Sequence, residues 1–396
     1  LELPYAAIGL VWNSMMSVAG GWFFLMACEM FVLGQRDFRL PGLGSYLQTA
    51  ANAGDTRSIL WGLFALVSLI VLLDQLVWRP VIAWAEKFKF EQVESAFAGH
   101  SRLLELIQGS PAISYLRRRA IRPLGEWLSS FFARRAALET EAPTTKPWQR
   151  WAGRCLGGVV VLAIAYAVVQ AGLTMGALKG GELAQLFEAA GLTFLRVLVA
   201  LLIGAAWTIP FGVWVGLNPR LAQIVQPLAQ IAASVPATAL FPVVLMVLIR
   251  AGGGLGIGAI ILMLLGTQWY ILFNVIAGAM AIPTDLREAA TVLRFNRVDQ
   301  WKLLILPGIF PYLVTGLVTA AGGAWNASIV SEYSHFKNQT LFTKGLGATI
   351  SQATDAGNMS LLLSATVIMA AIVVTTNRLL WRRLYRLAET RFKLDT

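Results

Sequence analysis

The sequence predicts an all-α polytopic membrane protein of about eight transmembrane spans, and three observations carry that prediction. Of the 396 residues, 57% are hydrophobic and 13% charged, and the mean hydropathy is +0.65, whereas soluble domains carry roughly 25% charged residues. Runs without Asp, Glu, Lys or Arg cover 3–28, 155–178, 197–219, 221–249, 251–284, 303–331 and 356–377, with a shorter run at 58–73. Most exceed the roughly 20 residues that a helix needs to cross a bilayer. Period-2 alternation is absent, which leaves helices rather than a closed barrel as the way to satisfy backbone groups in lipid.

Charge then orders the elements. The net charge of +11 would point to nucleic acid in a soluble protein, but its placement assigns it to the membrane. From Arg79 to Arg154 there are thirteen Lys and Arg against seven Glu, and the tail carries Arg378, Arg382, Arg383, Arg386, Arg391 and Lys393. Short basic loops stay in the cytoplasm. Both segments are therefore expected inside, with 30–57, 176–190 and 332–358 outside. Span 3–28 then runs outward, 58–78 inward, 155–175 outward, 191–217 inward, 221–249 outward, 254–280 inward, 303–331 outward and 359–381 inward. Cys28 and Cys155 fall at opposite membrane sides, without metal-ligand spacing, and read as small apolar packing residues.

The chain opens Leu1-Glu2 with no basic n-region ahead of its first apolar run. An internal repeat gives that start a meaning. At an offset of 303 residues, 20–86 aligns with 323–389 without a gap, with 16 identities in 67 positions. Gly20, Trp22 and Glu29 fall on Gly323, Trp325 and Glu332. Gly42-Leu43-Gly44 falls on Gly345-Leu346-Gly347, Gly54 on Gly357, and Trp78-Arg79 on Trp381-Arg382. The unit is an outward span, an external loop and an inward span, used twice in one orientation, as in transporters built from parallel repeats. The expected organisation is 1–90 as the last two spans of a first unit, 91–150 as a basic cytoplasmic linker, and 151–396 as a complete second unit. On that reading about 150 residues are expected upstream, giving an intact parent near 550 residues.

Within the linker, 113–137 mixes Arg117, Arg118, Arg119, Arg122, Arg134 and Arg135 with Leu116, Trp127, Phe131 and Phe132. It reads either as a basic amphipathic helix at the anionic inner leaflet, which makes membrane lipid a partner, or as a connector packed on its own protein. The central spans are rich in breakers. Pro210 and Gly212 are expected to interrupt 191–217, and Pro227, Pro236 and Pro242 to interrupt 221–249. Bent helices around a pathway fit this pattern, and so does simple loop entry.

No phosphate loop, H-E-x-x-H or G-x-S-x-G is present, and the only histidines are His100 and His335. The central spans also lack the paired acids of a proton pump, so neither catalysis nor a cofactor bound by this chain is expected. What remains is a cytoplasmic loop, 284–302, with a helix start at Pro283-Thr284-Asp285, a small Ala289-Ala290 face, and Leu293, Phe295 and Trp301 behind it. Such a short amphipathic element suits docking in a groove of another protein.

These residues carry a resemblance. Glu288-Ala289-Ala290, the turn position thirteen residues before Pro307, and Leu306-Pro307 resemble the EAA loop of binding-protein-dependent ABC importer permeases. Gly216-Leu217-Asn218-Pro219-Arg220, Val235-Pro236-Ala237-Thr238-Ala239-Leu240-Phe241-Pro242 and the run from Leu306 to Leu317 resemble the nitrate/sulfonate/taurine-type subgroup. The resemblance covers about 150–396 directly and 1–90 through the repeat. It implies a type I ABC importer permease-like bundle in a bacterial inner membrane, with the C-terminus cytoplasmic. It also implies a cytoplasmic ABC ATPase dimer that supplies ATP hydrolysis, a periplasmic or lipid-anchored substrate-binding protein, and a small oxyanion as substrate.

One departure stands out: the family usually has Gly at the loop turn, where this sequence has Arg294. Gly permits positive φ, which Arg adopts only with strain. Either the turn is rebuilt, or Arg294 takes an ordinary conformation and contacts the ATPase. By the resemblance, Glu288 orients the loop, Ala289 and Ala290 allow close approach, and Leu293, Arg294 and Phe295 fill the ATPase groove.

For the pathway, Asn326 and Ser328 are candidate hydrogen-bond donors to an oxyanion, flanked by Trp325 and the repeat-related Trp22. Glu332 and Glu29 are candidate parts of an outer gate, and Arg196 is a candidate anion-attracting charge. The plain alternatives are interface anchoring for Trp, interhelical hydrogen bonding for Asn and Ser, loop exposure for Glu, and snorkelling for Arg196. The alternative function, a secondary transporter without an ATPase, predicts buried acids or an ion site in the spans.

Overall fold

The computed structural model describes residues 40–85, 147–176, 180–250, 254–336 and 339–392, with scattered positions between 10 and 37 and a few others. Most of span 3–28 and of the 91–150 linker, including its arginine-rich stretch, lies outside the described residues. The chain forms two compact units, residues 1–15 with 72–173 and residues 16–71 with 174–396.

The helices follow the charge-free runs. A hairpin of β1 (Val32–Leu33) and β2 (Arg36–Asp37) precedes α1 (Leu43–Ala53) and α2 (Thr56–Leu73). A π-turn at Asp74–Trp78 then leads into α3 (Arg79–Ala85). Next come α4 (Pro147–Met175), α5 (Gly180–Gly216), α6 (Pro219–Ser234), α7 (Ala237–Arg250) and α8 (Leu255–Met280). The short α9 (Thr284–Val292) and α10 (Arg297–Asp299) lead through a π-turn, Gln300–Ile305, into α11 (Leu306–Ser331). A second hairpin, β3 (Tyr333–Phe336) with β4 (Gln339–Phe342), is followed by α12 (Leu346–Asp355), α13 (Met359–Thr376), a π-turn at Asn377–Trp381 and α14 (Arg382–Arg391).

Among the described residues, six helices are long and apolar enough to cross a membrane, or seven if one bent pair is a single span. That pair is the 221–249 segment, and of the breaks expected there the one at Pro236 is present. Helices α6 and α7 meet at 74°, broken at Val235-Pro236. Steric clash with a following proline ring keeps the preceding residue out of the helical region, and Val235 is extended at φ −70°, ψ 116°. The prolines at 210 and 227 do not interrupt anything: α5 and α6 run continuously through them. The external segments are also more ordered than loops, since α5 already begins at Gly180 and α1 and α12 lie within 30–57 and 332–358.

The second unit is built around α8. Its side chains at Met263, Ile271, Val275 and Ala279 are buried between α5 and α11. In lipid, helices gain little by hiding apolar surface from one another, so close backbone approach at small residues holds such a bundle. Here a methyl group at Gly216 would meet the Ile276 carbonyl at 2.6 Å, and one at Gly316 would meet the Tyr270 carbonyl at 3.0 Å.

The 303-residue offset is visible element by element. In each copy a hairpin leads to a glycine-capped helix, a left-handed glycine (Gly54, φ 67°; Gly357, φ 66°), an 18-residue helix, a five-residue π-turn and a helix that begins on an arginine. The helix after each left-handed glycine is capped by the next residue, through Asp55 in the first copy and Asn358 in the second. The Ser58 hydroxyl and backbone, with help from Arg57, hold the exposed Asp55 carboxyl below its ordinary range.

The repeated Gly-Leu-Gly has a physical cause. Glu29 and Glu332 lay their carboxylates over it, accepting the Gly44 N–H at 2.6 Å and the Gly347 N–H at 2.9 Å. A Cβ at Gly42 or Gly345 would collide with the carboxylate.

Candidate functional site

The loop 284–302 is assembled from local rules. Helix α8 ends at Ala281, and the fixed φ of Pro283 starts α9 with Asp285 in its first turn. Helix α9 ends in a Schellman turn: the Phe295 N–H donates to the Ala290 carbonyl and the Arg294 N–H to the Thr291 carbonyl, both at 3.0 Å. Residue 294 is therefore at the left-handed position, and Arg294 occupies it at φ 54°, the one positive φ outside glycine among the described residues. The turn is not rebuilt; the arginine adopts the backbone a glycine would prefer. Asn296 then accepts from the Asp299 N–H at 2.9 Å and starts the next helix.

Left-handed backbone costs a side-chain-bearing residue about 1 kcal/mol. Arg294→Gly should therefore raise thermal stability by about that amount, less the extra freedom of glycine in the unfolded chain. Differential scanning of the two proteins in one detergent checks this.

The loop is tied to the bundle by a residue that sequence reading overlooked. Arg287 donates from Nη2 to the Leu217 carbonyl at 3.3 Å, at the C-terminal end of α5, where unpaired carbonyls and the helix dipole favour a cation. A cleft of about 610 Å³ lies beside this bond, with Leu217, Arg287, Glu288, Ala290, Gln300 and Ile305 in its wall. Ala290 is buried against its own protein, together with Ile282 and Ile305, so the expected two-alanine docking face divides. Only Ala289 faces outward. Glu288, Arg294 and Leu306 are exposed, and Phe295 and Pro307 are half-buried. Val292, 80% exposed, and Leu293, 66% exposed, form an apolar patch on the outer surface of the loop, beside the charged Glu288 and Arg294.

The pathway candidates fall out differently. Glu332 is fully buried, not a loop residue. Arg196 donates to its Oε1 at 2.7 Å, the Thr193 hydroxyl donates to the same carboxylate at 2.8 Å, and the Gly347 N–H takes Oε2. Thr193 in turn accepts the Leu346 N–H at 2.8 Å, and Arg196 reaches the Thr343 hydroxyl at 3.0 Å. This clasp locks β4 and the start of α12 onto α5. The geometry differs from plain snorkelling and plain loop exposure: Arg196 is paired with a carboxylate, its side chain 12% exposed, and Glu332 is enclosed by its partners.

Ser328 is buried and donates to the Trp325 carbonyl of its own helix at 2.7 Å. The Trp325 ring is buried near Phe194, at a centroid distance of 6.4 Å. Asn326 is exposed, so the structure does not bring Asn326 and Ser328 together. In the first copy, Trp22 packs partly buried on the cluster that contains Ala237 and Leu245, and Glu29 is half-buried. Thr193 was missed; the signal was Thr-x-x-Arg, two polar residues one turn apart on an apolar helix.

The described residues combine long apolar helices with a structured helix–turn–helix loop between α8 and α11. Residues 208–394 match the family described as "Binding-protein-dependent transport system inner membrane component", the inner-membrane permease of ABC importers. Similar curated proteins include the nitrate import permease protein NrtB of Leptolyngbya laminosa, 28% identical over 184 residues, which are 46% of this chain and 62% of that protein. The bicarbonate transport system permease protein CmpB of Synechococcus elongatus is 31% identical over 154 residues, 39% and 54% of the two chains. The taurine transport system permease protein TauC of Escherichia coli is 27% identical over 205 residues, 51% and 68% of the two chains. The chain thus spans about half to two thirds of the length of these relatives. A solved chain of the MetNI methionine ABC transporter, in inward-facing form, aligns at 22% identity and a TM-score of 0.45, covering 54% of this chain and 100% of its own.

Proposed function

We propose that this permease moves a small oxyanion inward by alternating access, driven by a separate ATPase that docks on the loop 284–302. The observation that carries the reading is the loop itself. Its outer face exposes an apolar patch at Val292 and Leu293, and its inner face is anchored to α5 through Arg287 and Leu217. A push on α9 therefore reaches a helix of the bundle core directly. Coupling requires the ATPase to bind the loop differently in two states of the permease, and an anchored helix meets that requirement better than a loose one. Two ATP-binding subunits, a substrate-binding protein outside, and a cytoplasmic loop and C-terminus complete the scheme. Nitrate, bicarbonate and taurine, the solutes in the names of the relatives, share an anionic oxygen cluster, which supports an oxyanion as the substrate class. Of the polar residues read on α11, the exposed Asn326 is the one whose side chain is free of the protein interior, which supports it as the pathway candidate.

The repeat supports a two-unit organisation, with 1–90 ending a first permease unit, 91–150 linking, and 151–396 forming a second. Proteoliposomes holding the permease, its ATPase and its binding protein test the function. ATP-dependent accumulation of labelled nitrate, bicarbonate or taurine is expected. Accumulation driven by an ion gradient without ATP would instead establish a secondary transporter.

A further inference from the structure

The two repeats carry the same carboxylate over the same Gly-Leu-Gly, but their surroundings differ. In the second copy Glu332 is sealed by Thr193 and Arg196 of α5, which also satisfies the Leu346 N–H. The apolar part of the same helix, Leu186, Ala189 and Ala190, covers α12 and α13 at Leu346, Ala365, Ile368 and Ile372. In the first copy Glu29 is half-buried, and among the described residues its donor is the Gly44 N–H. Leu43, matched to Leu346, is half-buried. Ala65 and Leu69, matched to Ile368 and Ile372, are exposed.

We propose that Glu29, the Leu43 N–H and the Ala65–Leu69 face of α2 receive a membrane helix of the α5 type, an apolar helix with a threonine and an arginine three residues apart. Its source is the remaining spans of the first permease unit, so the inference rests on the two-unit reading. The chemistry follows from the second copy. The carboxylate takes the guanidinium and one hydroxyl, the hydroxyl oxygen takes the leucine N–H, and the spacing of one helical turn places both groups on one face. Leu40 stands where Thr343 does, so the arriving arginine has one hydroxyl fewer to bind. A second copy of this chain does not supply the helix, because its own Thr193 and Arg196 are engaged by its own Glu332.

The test places a photoreactive benzoylphenylalanine at Leu69 in the transporter purified from membranes as an assembly, and sequences the crosslinked peptide. The expected product is an apolar permease-class helix bearing Thr-x-x-Arg. Glu29→Gln should cut its yield about tenfold, as loss of one partner from a shielded ion pair does. Crosslinks to lipid alone, or to a second copy of this chain, would remove the two-unit reading and the proposal with it. Capture of a permease-class helix without the Thr-x-x-Arg pair, or a yield indifferent to Glu29→Gln, would overturn the proposal and leave the two-unit reading standing.

Discussion

Arg196→Leu should lower the stability of the folded permease by about 3–5 kcal/mol, the cost of leaving a buried charge without its partner. Glu332 is fully buried and the Arg196 side chain 12% exposed, at 2.7 Å. Removing the guanidinium strands the carboxylate with only the Thr193 hydroxyl and the Gly347 N–H. Glu332→Gln should cost less, because no buried charge is stranded at 332 and the partly exposed Arg196 can turn toward water, although the amide NH2 then faces the guanidinium where Oε1 accepted from it. Replacing both residues by leucine should recover much of the loss, since an apolar pair needs no desolvation. Thermal unfolding of the four proteins in one detergent measures the coupling between the two sites. An Arg196→Leu protein as stable as the parent, with a raised KM for uptake, would return this residue to the pathway.

Ala289→Arg is the second large effect. Ala289 is exposed on the side of α9 away from Ala290, so a long cation there meets no neighbour in the permease. Stability should stay within about 0.5 kcal/mol of the parent, as for other surface changes. The same side chain stands on the proposed docking surface, one turn from Val292 and Leu293, where a misfit costs at least about tenfold in binding. ATP-dependent uptake should fall by that factor or more while the protein remains inserted and folded. Unchanged uptake would mean that the ATPase engages some other surface. Ala290→Arg is a contrasting control: Ala290 is buried, so this variant should lose stability as well as transport.

These contrasts show which features a linear sequence makes legible. Spans are local properties of composition, so charge-free runs located the long helices. The helix start at Pro283 and the turn at residue 294 are also local, governed by proline's φ and by a left-handed turn. Which alanine of Ala289-Ala290 faces out depends on where α9 rests on Leu217 and Ile305, and neighbouring positions on a helix carry no sign of it. The prolines illustrate the same limit. Pro210 and Pro227 are accommodated inside helices while Pro236 marks a 74° break, though all three read alike as residues.

The clasp was the least legible feature. Its partners are 136 and 139 residues apart, and an acid after one span and an arginine within another each have an ordinary solitary explanation. The repeat held the clue, because two glycines flanking a leucine recur with a glutamate thirteen residues before the first of them. Only the folded chain shows that the glycines make room for the carboxylate.

The account turns on the loop 284–302 as the contact through which ATP hydrolysis moves the bundle. The most direct measurement places a photoreactive side chain at Val292, which is 80% exposed, in membranes that contain the assembled transporter. Crosslinking should capture an ATP-binding subunit, with a yield that changes when a non-hydrolysable ATP analogue is added. Capture of no ATP-binding protein from an assembly that still transports would contradict the account.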